Sequence, residues 1–406
     1  MYKRQSYYHY PIEYLQLSMK KAWESYLEDD CLLQPDQLQR LSQHKYNSLD
    51  ASWLDELCMK RFWNYLIEFC PLWVHPNLLS VIGLIINLVT VIVLAIYSSN
   101  EQAPSWTFLL AAVGLFLYQT LDALDGKQAR RTKCASPLGE LFDHGCDSMT
   151  QVFVTLNLCY SMQLWQDRYL ILFVVAFAIV LFYCAHWSTY CTGQLRFSRF
   201  DVTEAQMAII CLLIATAVFG PDFWSLKIFG LYLKYYLLFP CLVISLKQIF
   251  LYIGIAFTEG AGKNGSTVAN SSVLFPIIPL ICVILPFYYI YSRADSSVYD
   301  DNITLFSLCF GAIATKMTNR LIIIGYMSRS ELNLWDWIYM APTVILLNQY
   351  YGPLVDERLL LIFATMYSYA NLLLYCFVIC RQLCDYLNIN CFSLKPRFQA
   401  LQLKHN

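Results

Sequence analysis

The chain alternates between long uncharged apolar runs and short polar connections, a pattern that predicts helices crossing a bilayer. Past Pro76, ten runs approach the length of about 20 residues that a spanning helix needs. They cover residues 77–97, 105–125, 139–161, 169–190, 203–219, 235–257, 273–291, 303–325, 334–350 and 359–380. Before Pro76 the pattern changes. Leu54, Leu57, Cys58, Phe62, Tyr65, Leu66 and Phe69 recur at helical spacing, with Asp55, Glu56, Lys60 and Asn64 between them. This spacing predicts an amphipathic helix in the membrane interface, with Trp53, Trp63 and Trp73 at headgroup depth. A helix packed on the body of the protein fits the same spacing. The expected fold is all-α: a polytopic integral membrane protein of about ten transmembrane helices, with an N-terminal amphipathic interfacial helix. Its divisions are a cytoplasmic N-terminal region over 1–75, a transmembrane domain over 76–380 and a cytoplasmic tail over 381–406.

Composition excludes an ordinary soluble protein. Hydrophobic residues are 58% of the 406 and charged residues 14%, against roughly 25% charged in soluble domains. A net charge of −1 gives no polybasic signature, so nucleic acid is not an expected partner. The opening stretch MYKRQSYYHYPIEYLQ lacks the short apolar core and small-residue cleavage site of a signal peptide. Sixteen cysteines are scattered through apolar runs and read as small hydrophobes rather than as a disulfide framework. With the N-terminus placed in the cytoplasm, connections and tail on that side carry twelve Lys and Arg, the other side five. That excess puts both termini in the cytoplasm.

One stretch does not suit an inert membrane anchor: LDALDGKQARRTKCASPLGELFDHGCDSM, residues 121–149. Asp122 and Asp125 end the second run, and Asp143 and Asp147 begin the third. Spacings of i, i+3 and i, i+4 put each pair on one helix face, and the short connection makes the two helices antiparallel neighbours. Four carboxylates therefore converge near the cytoplasmic end of the membrane. An Asp at a helix centre costs about 2.5–3.5 kcal/mol, and like charges nearby add repulsion. A single Asp is explained by a cap or a solvated loop; four in helical register call for compensation. Divalent cations supply it, and an all-oxygen set suits Mg2+ or Mn2+ rather than zinc, with Asp122 and Asp143 suited to bridging two ions. Between the acids, Gly126 and Gly139 let a nucleotide approach the backbone, Ala129 keeps the same face shallow, and Arg130 offers a planar fork to phosphate oxygens.

The order Asp122-x2-Asp125-Gly126-x2-Ala129-Arg130-x8-Gly139-x3-Asp143-x3-Asp147 resembles the signature of the CDP-alcohol phosphotransferases at all eight positions, with matching gaps. The resemblance continues through Pro76-Asn77-x2-Ser80-x2-Gly83, YCAHWSTYCTGQLRF at 183–197, DVTEAQ at 201–206 and GKNGSTVA at 262–269. Together these are similar to the eukaryotic choline and choline/ethanolamine branch of that family. Residues 1–35 and the C-terminal tail resemble it least.

The resemblance implies transfer of phosphocholine, or phosphoethanolamine, from CDP-choline or CDP-ethanolamine to the hydroxyl of diacylglycerol, with CMP leaving. It implies that Asp122, Asp125, Asp143 and Asp147 hold metal, two ions of Mg2+ or Mn2+. His144 is the favoured proton acceptor, because a metal-bound carboxylate is a weakened base and histidine ordinarily titrates near 6.5; Asp147 is the alternative. Asn77 and Ser80 resemble positions lining the nucleotide site. Glu140 can accept from the exocyclic amine of cytosine, though it also reads as a plain solvated acid. His186, Glu204, Lys316 and Arg320 suit either a headgroup passage or helix contacts. The family also implies a homodimer among membrane lipids of the endoplasmic reticulum, with the Golgi as the other candidate compartment. An ethanolamine-specific enzyme is the near alternative. A cation-coupled transporter is the rival from another class, disfavoured because it has no use for Gly126, Ala129 and Arg130 among the acids.

Overall fold

The computed structural model describes residues 32–49, 51–98, 103–196, 198–294, 297–352 and 354–395. A short helix, α1 (Pro35–Ser42), leads into an extended segment whose two-residue strand β1 (Ser48–Leu49) pairs in parallel with β2 (Leu195–Arg196). A π-turn (Asp55–Met59) then opens α2 (Lys60–Leu66). The body follows: α3 (Pro76–Ser98), α4 (Ser105–Arg131), α5 (Pro137–Ser161), α6 (Arg168–Thr192), α7 (Val202–Phe219), α8 (Leu233–Thr258), α9 (Ile277–Ser292), α10 (Ile303–Arg320, continued by a π-turn to Met327), α11 (Met340–Tyr350) and α12 (Glu357–Leu387). A hairpin of β3 (Lys227–Ile228) and β4 (Leu231–Tyr232) is the other strand pair among the described residues.

Local chemistry sets the helix ends. Ser136 caps α5 by accepting from the Gly139 amide, with Pro137 in the first helical position where its missing N–H costs nothing. Asp167 and Asp356 cap α6 and α12 in the same way. Asp201 and Glu204 form a reciprocal capping box at α7. Gly193 ends α6 in the left-handed region, at φ +74°. The helices alternate in direction, so the connections gather at two ends. At one end Arg40 reaches Ser328, Leu195 meets Asn47 and Asn77 meets Cys391; at the other, Gln163 meets Asp222 and Gln349 meets Ile290.

Seven described helices are long and apolar enough to cross a membrane, three fewer than the ten runs read from the sequence. Each of the other three runs forms a helix that fails for its own reason. α5 has 25 residues but carries Glu140, Asp143 and Asp147. α9 starts only at Ile277, after Pro276, and its 16 residues rise about 24 Å. α11 is shorter still, with 11 residues, because the run's first residues are held extended: Arg320 takes the carbonyls of Asn333 and Trp335. α10 lies at the centre, with 89% of its apolar window buried, whereas α8 lies outermost at 11%.

The segment around α2 departs from the expectation at one tryptophan. Met59, Trp63 and Ile67, one stripe at i, i+4, i+8, bury against Leu79 of α3 and Leu124 of α4. Trp63 therefore packs on the body rather than standing at headgroup depth. Trp53, Leu57, Tyr65, Phe69 and Trp73 are exposed. The same turn is tied down where its carbonyls would be unsatisfied: Arg131 donates to Ile67 and Cys70, and Gln128 to Pro71 and Val74. The described cysteines are free thiols.

Candidate active site

α4 continues unbroken through Asp122 and Asp125 to Arg131, and the turn at 132–136 returns the chain into α5. The acids consequently meet. Ligand atoms of Asp122, Asp125 and Asp143 lie within 4.8 Å of one another, as do those of Asp143, His144 and Asp147. Asp143 belongs to both groups. Ser80 of α3 donates to Asp125 Oδ2 at 2.5 Å. Tyr118, one turn before Asp122, donates to Asp147 Oδ1. Its ring fits because position 83 is glycine: a Cβ there would come within 2.9 Å of Tyr118 Cδ2.

Among the described residues none of the four acids forms an ion pair with a basic side chain. Ionised carboxylates this close repel, and withdrawal from water strengthens the repulsion. An all-oxygen set of this kind fits a hard divalent cation.

A cavity of about 460 Å³ opens beside the acids, a volume in the range of small-molecule sites. Asn77, Ser80, Gly126, Ala129, Arg130, Gly139 and Glu140 all line it, together with Asp125 and Asp143. Helix packing does not require the two glycines. A Cβ at Gly126 would meet only the Arg130 guanidinium, Nη1 at 3.6 Å and Nη2 at 4.0 Å, and one at Gly139 only Asn77 Oδ1 at 3.8 Å. Glycine inside a helix costs up to about 1 kcal/mol relative to alanine, and here the return is open volume for a ligand.

The CDP-alcohol phosphatidyltransferase family model matches residues 73–259, the stretch holding the acids and most of the cavity wall. Cholinephosphotransferase 1 of Danio rerio is 39% identical over 368 residues, covering 90% of this chain and 96% of that one. Cholinephosphotransferase 1 of Xenopus laevis is 38% identical over 392 residues, 96% of each chain. The Homo sapiens protein of the same name is 38% identical over 362 residues, 88% of each. The chain belongs to the CDP-alcohol phosphatidyltransferase family. It is a membrane enzyme of that class.

Other parts of this phosphatidyltransferase site could not be read from local spacing. Ser42, His44, Lys45 and Tyr46 line the cavity from the segment after α1. His44 Nε2 lies 2.8 Å from Glu140 Oε2, a contact across 96 residues of sequence. Desolvation, and then the Asp143 carboxylate, push the hydroxyl of the half-exposed Tyr46 above its ordinary range. Burial also lowers His75, favouring a neutral ring whose Nδ1 accepts from the Asn77 amide at 3.2 Å. His144 is buried, with its ring 5.8 Å from Tyr46 and 5.2 Å from His186. His186 is thus a neighbour of the site.

The remaining polar residues noted in the sequence serve as anchors. Glu204 accepts from Ser52 Oγ, Leu54 N and Asp201 N, fastening the N-terminal segment to α7. Lys316 Nζ lies 2.7 Å from Asp336 Oδ1 and 2.5 Å from Asn371 Oδ1, and Arg320 lies 3.1 Å from Asp336 Oδ2.

Proposed function

We propose that this enzyme transfers phosphocholine from CDP-choline to the hydroxyl of diacylglycerol, giving phosphatidylcholine and CMP. The observation that carries the reading is the acidic quartet, two of whose members (Asp125 and Asp143) line a cavity of about 460 Å³, in a chain alike to cholinephosphotransferases over nearly its whole length. The same likeness favours choline over ethanolamine as the headgroup.

Asp122, Asp125, Asp143 and Asp147 would hold two Mg2+ or Mn2+ ions, which when bound neutralise the pyrophosphate and stabilise charge on the departing CMP. The chain's own residues supply the rest. Ser80 and Tyr118 fix the carboxylates of Asp125 and Asp147. Arg130, at the exposed rim of the cavity, pairs with phosphate oxygens. Asn77, Gly126, Ala129 and Gly139 shape the nucleotide's berth, and Glu140 accepts from the cytosine amine. The diacylglycerol oxygen attacks the phosphorus bearing choline, the bond from that phosphorus to the CMP oxygen breaks, and the hydroxyl proton passes to His144. Asp147 is left to hold metal. The excess of Lys and Arg at the connections on this side supports a cytoplasm-facing site, and the choline-branch resemblance supports a homodimer in the endoplasmic reticulum.

Purified enzyme in diacylglycerol-containing vesicles should release CMP only when CDP-choline, divalent cation and diacylglycerol are all present. CDP-ethanolamine should compete weakly; equal or stronger use would reassign the headgroup. Ion flux without CMP release would instead mark a transporter. His144→Gln should lower turnover at least about 100-fold, the scale of general-base contributions. Near-normal turnover would pass the base role to Asp147.

A further inference from the structure

Glu140 is held by one oxygen and free at the other. The side chain is buried, with the residue 9% exposed; Oε2 sits 2.8 Å from His44 Nε2, while Oε1 is buried without a hydrogen-bond partner. Both residues line the cavity. A buried carboxylate oxygen left unsatisfied is costly, and so calls for a donor that arrives with the ligand. His44 is itself placed rigidly. Its ring meets Tyr326 edge-on at 4.9 Å, and its side chain is 4% exposed. The chain on either side is pinned: Arg40 donates to the Ser328 carbonyl at 2.7 Å and to Ser330 Oγ at 2.9 Å, and Leu195 N donates to Asn47 O at 3.0 Å.

Building on the reading that Glu140 meets the cytosine amine, we propose that His44 is a positioning residue for base specificity. It holds Glu140 Oε2 so that Oε1 is presented as a fixed acceptor to an exocyclic amine. Uracil carries a carbonyl oxygen at that place. Acceptor would then face acceptor, and both would be desolvated without a bond. Sites that read a base or hydroxyl through such a group reject analogues lacking the donor by as much as about 10⁴-fold. A carboxylate free to rotate would discriminate far less, because it could turn its unpartnered oxygen away.

The test compares CDP-choline with UDP-choline as donors to diacylglycerol, using the full-length enzyme in mixed micelles. His44→Phe keeps a ring against Tyr326 and removes the nitrogen. It should raise KM for CDP-choline about tenfold or more, leave kcat within about threefold, and cut the ratio of kcat/KM for the two donors at least about tenfold. His44→Gln, whose amide can still donate to Glu140, should recover most of that ratio; His44→Asn, too short to reach, should not. Adding His44→Phe to Glu140→Gln should cause no further loss of the ratio. Wild-type discrimination in both His44→Phe and His44→Asn overturns the positioning role. If Glu140→Gln has lost discrimination in the same assay, the cytosine reading of Glu140 stands. Undiminished discrimination in Glu140→Gln overturns that reading and the proposal with it.

Discussion

Two sets of charged side chains, buried or half-buried, lie close together in the bundle and are built on opposite terms. Lys316, Arg320 and Asp336 combine both signs, and each is bonded to another or to an uncharged acceptor. Asp122, Asp125, Asp143 and Asp147 are of one sign, and no basic side chain pairs with them among the described residues; Ser80 and Tyr118 donate hydroxyls to Asp125 and Asp147, and Asp122 bonds Asp143. The sets are close: Thr315 donates to the Ser148 carbonyl and Ser148 to Asn319, which puts this part of α10 against the turn of α5 that follows Asp147. Burial alone therefore does not mark function in this bundle. The ionic set is complete within the protein and fastens the stretch before α11. The acidic set has no such counter-charge in the protein and is suited to a bound cation.

That contrast can be broken most directly at Asp143, which belongs to both candidate ligand groups. Asp143→Asn should lower turnover roughly 10³-fold or more, since removing a ligand should exceed the 10- to 100-fold lost with outer-shell partners. Wild type should gain thermal stability with Mg2+ or Mn2+ and lose it on chelation, by simple linkage; in Asp143→Asn that gain should shrink or vanish. A variant with full turnover would show the acids to be structural. Asp336→Asn tests the other set. Leaving two buried cations without their carboxylate should cost about 3–5 kcal/mol of stability, read as a lower thermal midpoint, with turnover per folded molecule retained. Loss of turnover at unchanged stability would erase the distinction. The smallest effect is expected at Tyr118→Phe. Removing one hydroxyl donor from Asp147 should slow turnover about two- to tenfold, the scale of a single hydrogen bond, while leaving the cation-induced stabilisation largely in place.

How much could be read in the sequence depended on how local the signal was. The acids, Gly126, Ala129, Arg130 and Gly139 lie within one helix–turn–helix, so spacing alone placed them around a single site. Tyr118 obeys the same periodicity, four residues before Asp122, and was within reach of that reasoning. The apolar runs found the helices but overstated their reach. Nothing in the composition of residues 334–350 announces that Arg320 would hold the first of them extended. Trp63 resembled an interfacial tryptophan until Leu79 and Leu124, far along the chain, closed over its stripe. His44, Lys45 and Tyr46 were illegible for the same reason. Their partners are set by how the N-terminal segment crosses the bundle, and such long-range pairings leave no periodic trace.

The segment that covers the cavity also bears on how the enzyme is made. It precedes the helices that carry the acids, yet its moorings lie 288 to 349 residues further along the chain: Leu33 is tied to Gln382, and Arg40 to Ser328 and Ser330. Helices α3 to α5 are made well before those partners, so the acids can assemble while this segment is still unmoored. The cavity consequently has its wall fully fastened only once residue 382 has been made, and a chain truncated before Gln382 would carry its acids in place beneath an incompletely fastened cover.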